Sequence, residues 1–162
     1  MPDFLVAQKA VLPKPTQHRI WSHDTHHYFN DKAYVPLDTL QILGQGGTAQ
    51  VYLSYERSIQ RRVACKQAHR TGHGGWRTFG TMVQEIKLMS AIVHPHCLTY
   101  LGSYTTPDSI GMLLPAADGD LKCILESELP PEQSSVQNWF GCLASAVLYL
   151  HNNHIWKYET IV

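Results

Sequence analysis

Charge of one sign is what this 162-residue sequence lacks first: thirteen Lys and Arg balance thirteen Asp and Glu, with no block of like charge. No net field draws the chain to nucleic acid or to an anionic membrane, so neither is expected as a partner. Long apolar runs are missing too. Crossing a bilayer takes roughly 20 consecutive apolar residues, and no segment approaches that. Met1 to Lys14 also lacks the uninterrupted apolar stretch of a secretion signal. The expectation is a soluble, intracellular chain, with cytoplasm and nucleus not distinguished. Cysteine is scarce: Cys65, Cys97, Cys123 and Cys142 are spread out with no C-x-x-C pair, which suits buried, reduced thiols better than a disulfide framework or a zinc knuckle. Internal repeats and low-complexity segments are absent as well.

What is present is 44% apolar residues, enough for one domain with a real core, or for part of one. Residues 1–33 carry scattered prolines and the polar cluster His23-Asp24-Thr25-His26-His27, and read as an irregular extension. From Tyr34 the texture changes. Leu40 to Leu43, Val51 to Tyr55 and Arg61 to Lys66 read as three strands, the first two joined by a glycine-rich turn. Phe79, Met82, Val83, Ile86, Met89 and Val93 then recur at three- and four-residue steps, one face of a helix that Pro95 ends. Two further strands are expected at Leu98 to Tyr104 and Ile110 to Leu114, with turn chemistry at Thr106-Pro107-Asp108. Beyond Leu114 the pattern is helical, first Asp118 to Ser127, then a longer helix after Pro130-Pro131 that Asn152-Asn153 stops. Val136, Trp139, Phe140, Leu143, Val147 and Leu150 form an apolar stripe on the latter. A stripe this wide expects a large partner surface.

Three features carry chemistry. Gly44, Gly46 and Gly47 lie at a strand-turn-strand junction, where backbone N–H groups can close over phosphate oxygens; a hairpin that needs glycine for its dihedrals is the other reading. In Val63-Ala64-Cys65-Lys66, alternation puts Ala64 and Lys66 on one face, leaving room for a purine beside an ammonium. A solvated strand lysine is the plain alternative. Glu85, on the following helix, is either a solvated helical carboxylate or the group that orients a mobile lysine stem. The histidines at 23, 26 and 27, and His94 and His96 with Cys97, have metal-like spacing. They are read as surface histidines, because neither set is expected to converge from a rigid scaffold.

Taken in order, Gly44, Gly46, Ala49 in place of a third glycine, Val51, Ala64, Lys66 and Glu85 resemble the protein kinase family, whose pattern is G-x-G-x-x-G-x-V, then V-A-x-K, then a C-helix glutamate. Lys66 follows Gly44 by 22 positions and Glu85 follows Lys66 by 19. The resemblance runs from about Val35 to Trp156. It implies an α+β fold: a kinase N-lobe of five antiparallel strands with helix C over residues 34–114, then the hinge and first C-lobe helices over 115–156. It also implies binding of ATP, with Leu43, Gly44, Gly46, Gly47, Val51, Ala64, Lys66, Leu114 and Ala116 around the nucleotide, Glu85 orienting Lys66, and protein phosphorylation of the serine/threonine type. Met89 and Tyr100, the latter on the fourth strand, would belong to a hydrophobic spine, with Leu114 as gatekeeper and Pro115-Ala116-Ala117 as hinge.

The pattern stops at the end of the chain. Where the family has H-x-D, and later D-F-G, the chain reads Lys157 to Val162. Residues 157–162 are therefore expected to be an aberrant tail from a shifted frame, a retained intron or a misjudged splice boundary. The catalytic Asp is absent, as are the protein ligands of the Mg²⁺ that the family uses with ATP. The expectation is a chain that binds nucleotide without transferring phosphate. The alternative is a non-catalytic kinase-like interaction module, or an incomplete product, that meets a protein partner or itself through the Val136 to Leu150 face.

Overall fold

Alternation along one strand sorts the core into two. In the computed structural model, which describes residues 21, 22, 25–47, 49–70, 75–127, 131–153 and 155, the strand Arg61–His69 buries side chains on both faces. Ala64 and Ala68 look to one side, with Ile110, Met112 and Leu114. Val63 and Cys65 look to the other, with Trp21, Val35, Tyr104 and Leu113. A strand covered on both faces must be central, and this one is.

In chain order the elements are β1 (His26–Tyr28), a 3-10 turn (Lys32–Tyr34), β2 (Leu37–Gln45), β3 (Gln50–Glu56), β4 (Arg61–His69), α1 (Gly75–Ala91), β5 (Gly102–Thr105), β6 (Ser109–Pro115), α2 (Leu121–Leu125) and α3 (Gln133–Asn152). They form one six-stranded sheet, in the order β1-β5-β6-β4-β3-β2, with α1 packed on β4 and β6. Met82 and Ile86 carry the apolar face of α1 into the sheet, and burying each contributes about 1.5–3 kcal/mol. The α+β architecture and the five antiparallel strands expected from Tyr34 onward are all present.

Several details depart from the expectation. The sheet has a sixth strand and is mixed: β1, from the segment read as irregular, pairs parallel to β5 through His26–Ser103, His27–Tyr104 and Tyr28–Thr105. Three residues are too short a run for periodicity to register, and the sheet edge supplies their partners. Helix α1 starts at Gly75 and ends at Ala91, before Pro95. Tyr100 precedes β5 instead of lying on it. Only Cys65 of the four free thiols is fully buried, and Cys123 is exposed.

Turn chemistry explains the connections. Between β5 and β6, Thr106 N donates to Ser109 O at 2.8 Å and Ser109 N donates to the Thr106 hydroxyl at 3.1 Å. Between β3 and β4, the fully buried Glu56 accepts from Ser58 N at 3.1 Å and from Ile59 N at 2.6 Å, while Gln60 takes the left-handed φ of 51° that closes the turn. Asp120 caps α2 by accepting from Cys123 N at 2.9 Å, and this bond holds its carboxyl below the usual carboxylate range.

Candidate functional site

Residues paired directly across a sheet share a face. Gly44 pairs with Val51, Val51 with Lys66, and Lys66 with Met112, so one row runs from the glycine turn to the centre of the sheet. Two residues back along β4, Ala64 pairs with Leu53 on one side and Leu114 on the other. Ala49 and Val51 pack against the cluster that holds Ala64 and Leu114. The result is an apolar surface of small and branched side chains beside one lysine.

Helix α1 supplies the carboxylate. Lys66 Nζ donates to Glu85 Oε1 at 2.6 Å and to Oε2 at 2.8 Å, with both side chains mostly shielded from solvent. The contact forms because Met82, Ile86 and Met89, on the apolar face, seat the helix on β4 and β6 and thereby turn Glu85 toward β4. A two-point contact fixes an ammonium that would otherwise swing on a four-carbon stem.

The turn glycines have open surroundings among the described residues. Among the described residues the one glycine with a left-handed φ is Gly102. A Cβ added at Gly44 or Gly47 meets nothing within 4 Å, and one at Gly46 meets only Ala49 O at an ordinary 3.6 Å. Gly46 N donates to Ala49 O at 2.9 Å, closing the turn. Among the described residues, neither a left-handed dihedral nor close crowding accounts for Gly44, Gly46 or Gly47.

Leu43 lies at an irregularity in the β2 ladder between Ile42 and Gly44, half exposed. Leu114 is buried opposite Ala64, Pro115 ends β6, and Ala116 follows, partly exposed. Met89 packs against the cluster that includes Tyr100. Cys65, beside Lys66 in sequence, faces away from it, and burial pushes its thiol up to about 11. His23, Gly72, Gly74, Lys157 and Glu159 lie outside the described residues. His94 is not a free surface histidine: its ring stacks on Tyr149 of α3 at 4.8 Å, its Nε2 lies 3.3 Å from Ser145 Oγ, and Val93 N donates to the Tyr149 hydroxyl at 3.0 Å. These contacts tie the turn after α1 to α3.

Sequence reasoning missed Met112, the residue opposite Lys66, and His26, whose ring nitrogens lie 2.7 Å from Ser103 Oγ and 2.9 Å from Thr105 Oγ1. Met112 could have been found by carrying strand alternation from Leu114 back along β6. His26, read in the sequence as a surface histidine of an irregular extension, is instead part-buried with both ring nitrogens bonded.

The sequence model of the protein kinase domain matches residues 37–158. The chain belongs to the protein kinase family. It is 28% identical over 116 residues to serine/threonine-protein kinase 36 of Mus musculus, covering 72% of this chain and 9% of that protein. Over 123 residues it is 26% identical to cyclin-dependent kinase 7 of Xenopus laevis, covering 74% of this chain and 34% of the relative. Over 130 residues it is 28% identical to serine/threonine-protein kinase PknD of Chlamydia caviae, covering 73% and 14%. The chain thus spans about a third or less of each of these relatives. Within the kinase family, the six-stranded sheet with α1 is the N-lobe and α2 and α3 begin the helical lobe. Among the described residues no helix is long and apolar enough to cross a membrane.

Proposed function

We propose that the kinase N-lobe of this chain binds ATP on the face that carries Lys66, and that the domain to which it belongs phosphorylates proteins on serine or threonine. The observation that carries the reading is the two-point contact of Lys66 with Glu85 at 2.6 and 2.8 Å, because a lysine held in this way presents its remaining donor at a defined place. In this reading Lys66 meets the α- and β-phosphates and Glu85 orients it. The open Cβ positions of Gly44 and Gly47 let backbone N–H groups approach the phosphates. Leu43, Val51, Ala64 and Leu114 take the adenine, and Ala116 offers backbone groups at its edge. Bound Mg²⁺ would neutralise phosphate charge. The residues present fit the nucleotide by their chemistry: one ammonium, a glycine turn with space above it, and apolar side chains small enough to admit a purine.

The test is calorimetry of the full chain with ATP. Binding is expected near 100 μM or weaker, about −5 to −6 kcal/mol, and is expected to vanish in Lys66→Met. Binding unchanged by that substitution would move the nucleotide elsewhere. A second reading, an interaction module, has one observation in its favour: Phe140, Leu143 and Leu148 of α3 are each more than half exposed. In that reading the α3 face meets a protein partner or a second copy.

A further inference from the structure

The kinase match begins at residue 37, yet the sheet begins at His26. The segment before the match is tied in by side chains as well as by the β1–β5 ladder. Trp21 is buried in the second core cluster against Val63, Cys65 and Leu113, and its ring lies 6.1 Å from that of Tyr104. Phe29 N donates to Thr105 O at 2.9 Å, extending the ladder past Tyr28. Between these anchors, His26 points to the face of the sheet that carries Lys66, since His26 pairs with Ser103, Ser103 with Met112, and Met112 with Lys66.

On that face His26 joins a chain of hydrogen bonds. The Tyr100 hydroxyl donates to Ser103 Oγ at 2.6 Å, Ser103 Oγ lies 2.7 Å from His26 Nδ1, and His26 Nε2 lies 2.9 Å from Thr105 Oγ1. One assignment lets each group act in turn: Ser103, already accepting from Tyr100, donates to Nδ1, and Nε2–H donates to Thr105. Ser103 is fully buried, and Tyr100 lies in the same cluster as Met82 and Ile86, with Met89 packed against it. Those three residues are the face of α1 that presents Glu85 to Lys66.

We propose that Trp21 and residues 25–29 strap the N-lobe and that His26 is a positioning residue for the Lys66–Glu85 pair, acting through Ser103 and Tyr100 on the seat of α1. The inference rests on the nucleotide-site reading for its consequence, though not for its geometry. The neutral imidazole is the form that accepts from Ser103. A proton on Nδ1 turns that acceptor into a donor, so Ser103 must turn its own proton elsewhere, and its oxygen then accepts from both Tyr100 and His26. Burial, then the neighbouring His27, hold the His26 pKa below its ordinary 6.5, in keeping with a neutral ring. Among the described residues, the ionisable groups against His26 are His27 and Tyr28 on its own strand, and Tyr100 through Ser103.

The test uses the full chain with methyl-labelled Ile and Met. Ile86 and Met89 methyl signals are expected to titrate with a midpoint below the ordinary histidine 6.5, and to lose that titration in His26→Asn, whose amide can still accept from Ser103. Methyl signals that ignore pH, or that titrate equally in His26→Asn, overturn the proposal. ATP affinity gives the second readout: His26→Phe is expected to weaken it about fivefold, the effect of one lost hydrogen bond, and His26→Asn to restore it. Equal losses in both variants indicate packing alone and overturn the positioning role. If the wild-type chain binds no ATP, the nucleotide reading fails by itself and the methyl titration still decides the strap.

Discussion

The ring of Trp21 lies 3.2 Å from the place a Cβ would occupy on Gly102, and Gly102 sits at φ +156°, where side chains are rarely tolerated. Glycine is required there on two counts, the dihedral and the close approach of the indole. Gly102→Ala is expected to destabilise the chain by about 1–3 kcal/mol, read as a lower urea midpoint. An unchanged midpoint would show that Trp21 is not seated on β5.

Removing the orienting carboxylate without changing its shape isolates its role. Glu85→Gln is expected to weaken ATP binding about tenfold, or ~1.4 kcal/mol, and to lower the thermal midpoint, because it leaves the mostly shielded Lys66 without its counter-charge. Equal affinity for both proteins would leave Lys66 positioned by something other than Glu85.

Phosphate transfer is a separate matter from binding. The 162 residues contain no His-x-Asp and no Asp-Phe-Gly, the segments that supply base and metal ligands in the family. A polypeptide of these residues is expected to incorporate no labelled γ-phosphate into itself or a generic protein. Incorporation that Lys66→Met abolishes would contradict this.

Protonation of His26 bears on stability with a definite sign. A histidine whose folded pKa is lowered binds protons more readily when unfolded, so its contribution is complete above the ordinary 6.5 and is lost as pH falls through the folded value. Urea midpoints are expected to fall more steeply below pH 6.5 in the wild-type chain than in His26→Asn. Parallel curves would mean that His26 does not titrate between these states.

The exposed apolar residues of α3 make association the expected behaviour of the 162-residue polypeptide, since contiguous apolar patches beyond about 300–600 Å² are unusual on soluble monomers. Light scattering is expected to show species larger than a monomer, reduced in the Phe140→Glu, Leu143→Glu double variant. A monodisperse monomer before substitution would mean that the face is covered.

Much of the site is legible in the sequence because its parts are local. A glycine turn, strand alternation at Ala64 and Lys66, and helical spacing around Glu85 are each set by neighbours within a few positions, and their order carries the family resemblance. The contact of Lys66 with Glu85 is legible there only as a possibility, since it depends on how α1 is rotated and docked. The seating of Met82 and Ile86 on β4 and β6 settles that rotation.

Local pattern could not reach the strap or the state of the turn glycines. His26 and Ser103 are 77 positions apart, and a three-residue strand has no period to detect; it is a strand because the edge of β5 offers backbone partners and Gly102 leaves space for Trp21. The open space around Gly44 and Gly47 likewise is set by what surrounds them in the fold and not by their neighbours in sequence. The sequence by itself determined which residues could form strands, helix and lysine site, because periodicity and turn chemistry act over short range. Only the tertiary structure decided which of them meet, because hydrogen bonds and close packing between distant segments exist only once the chain has brought those segments together.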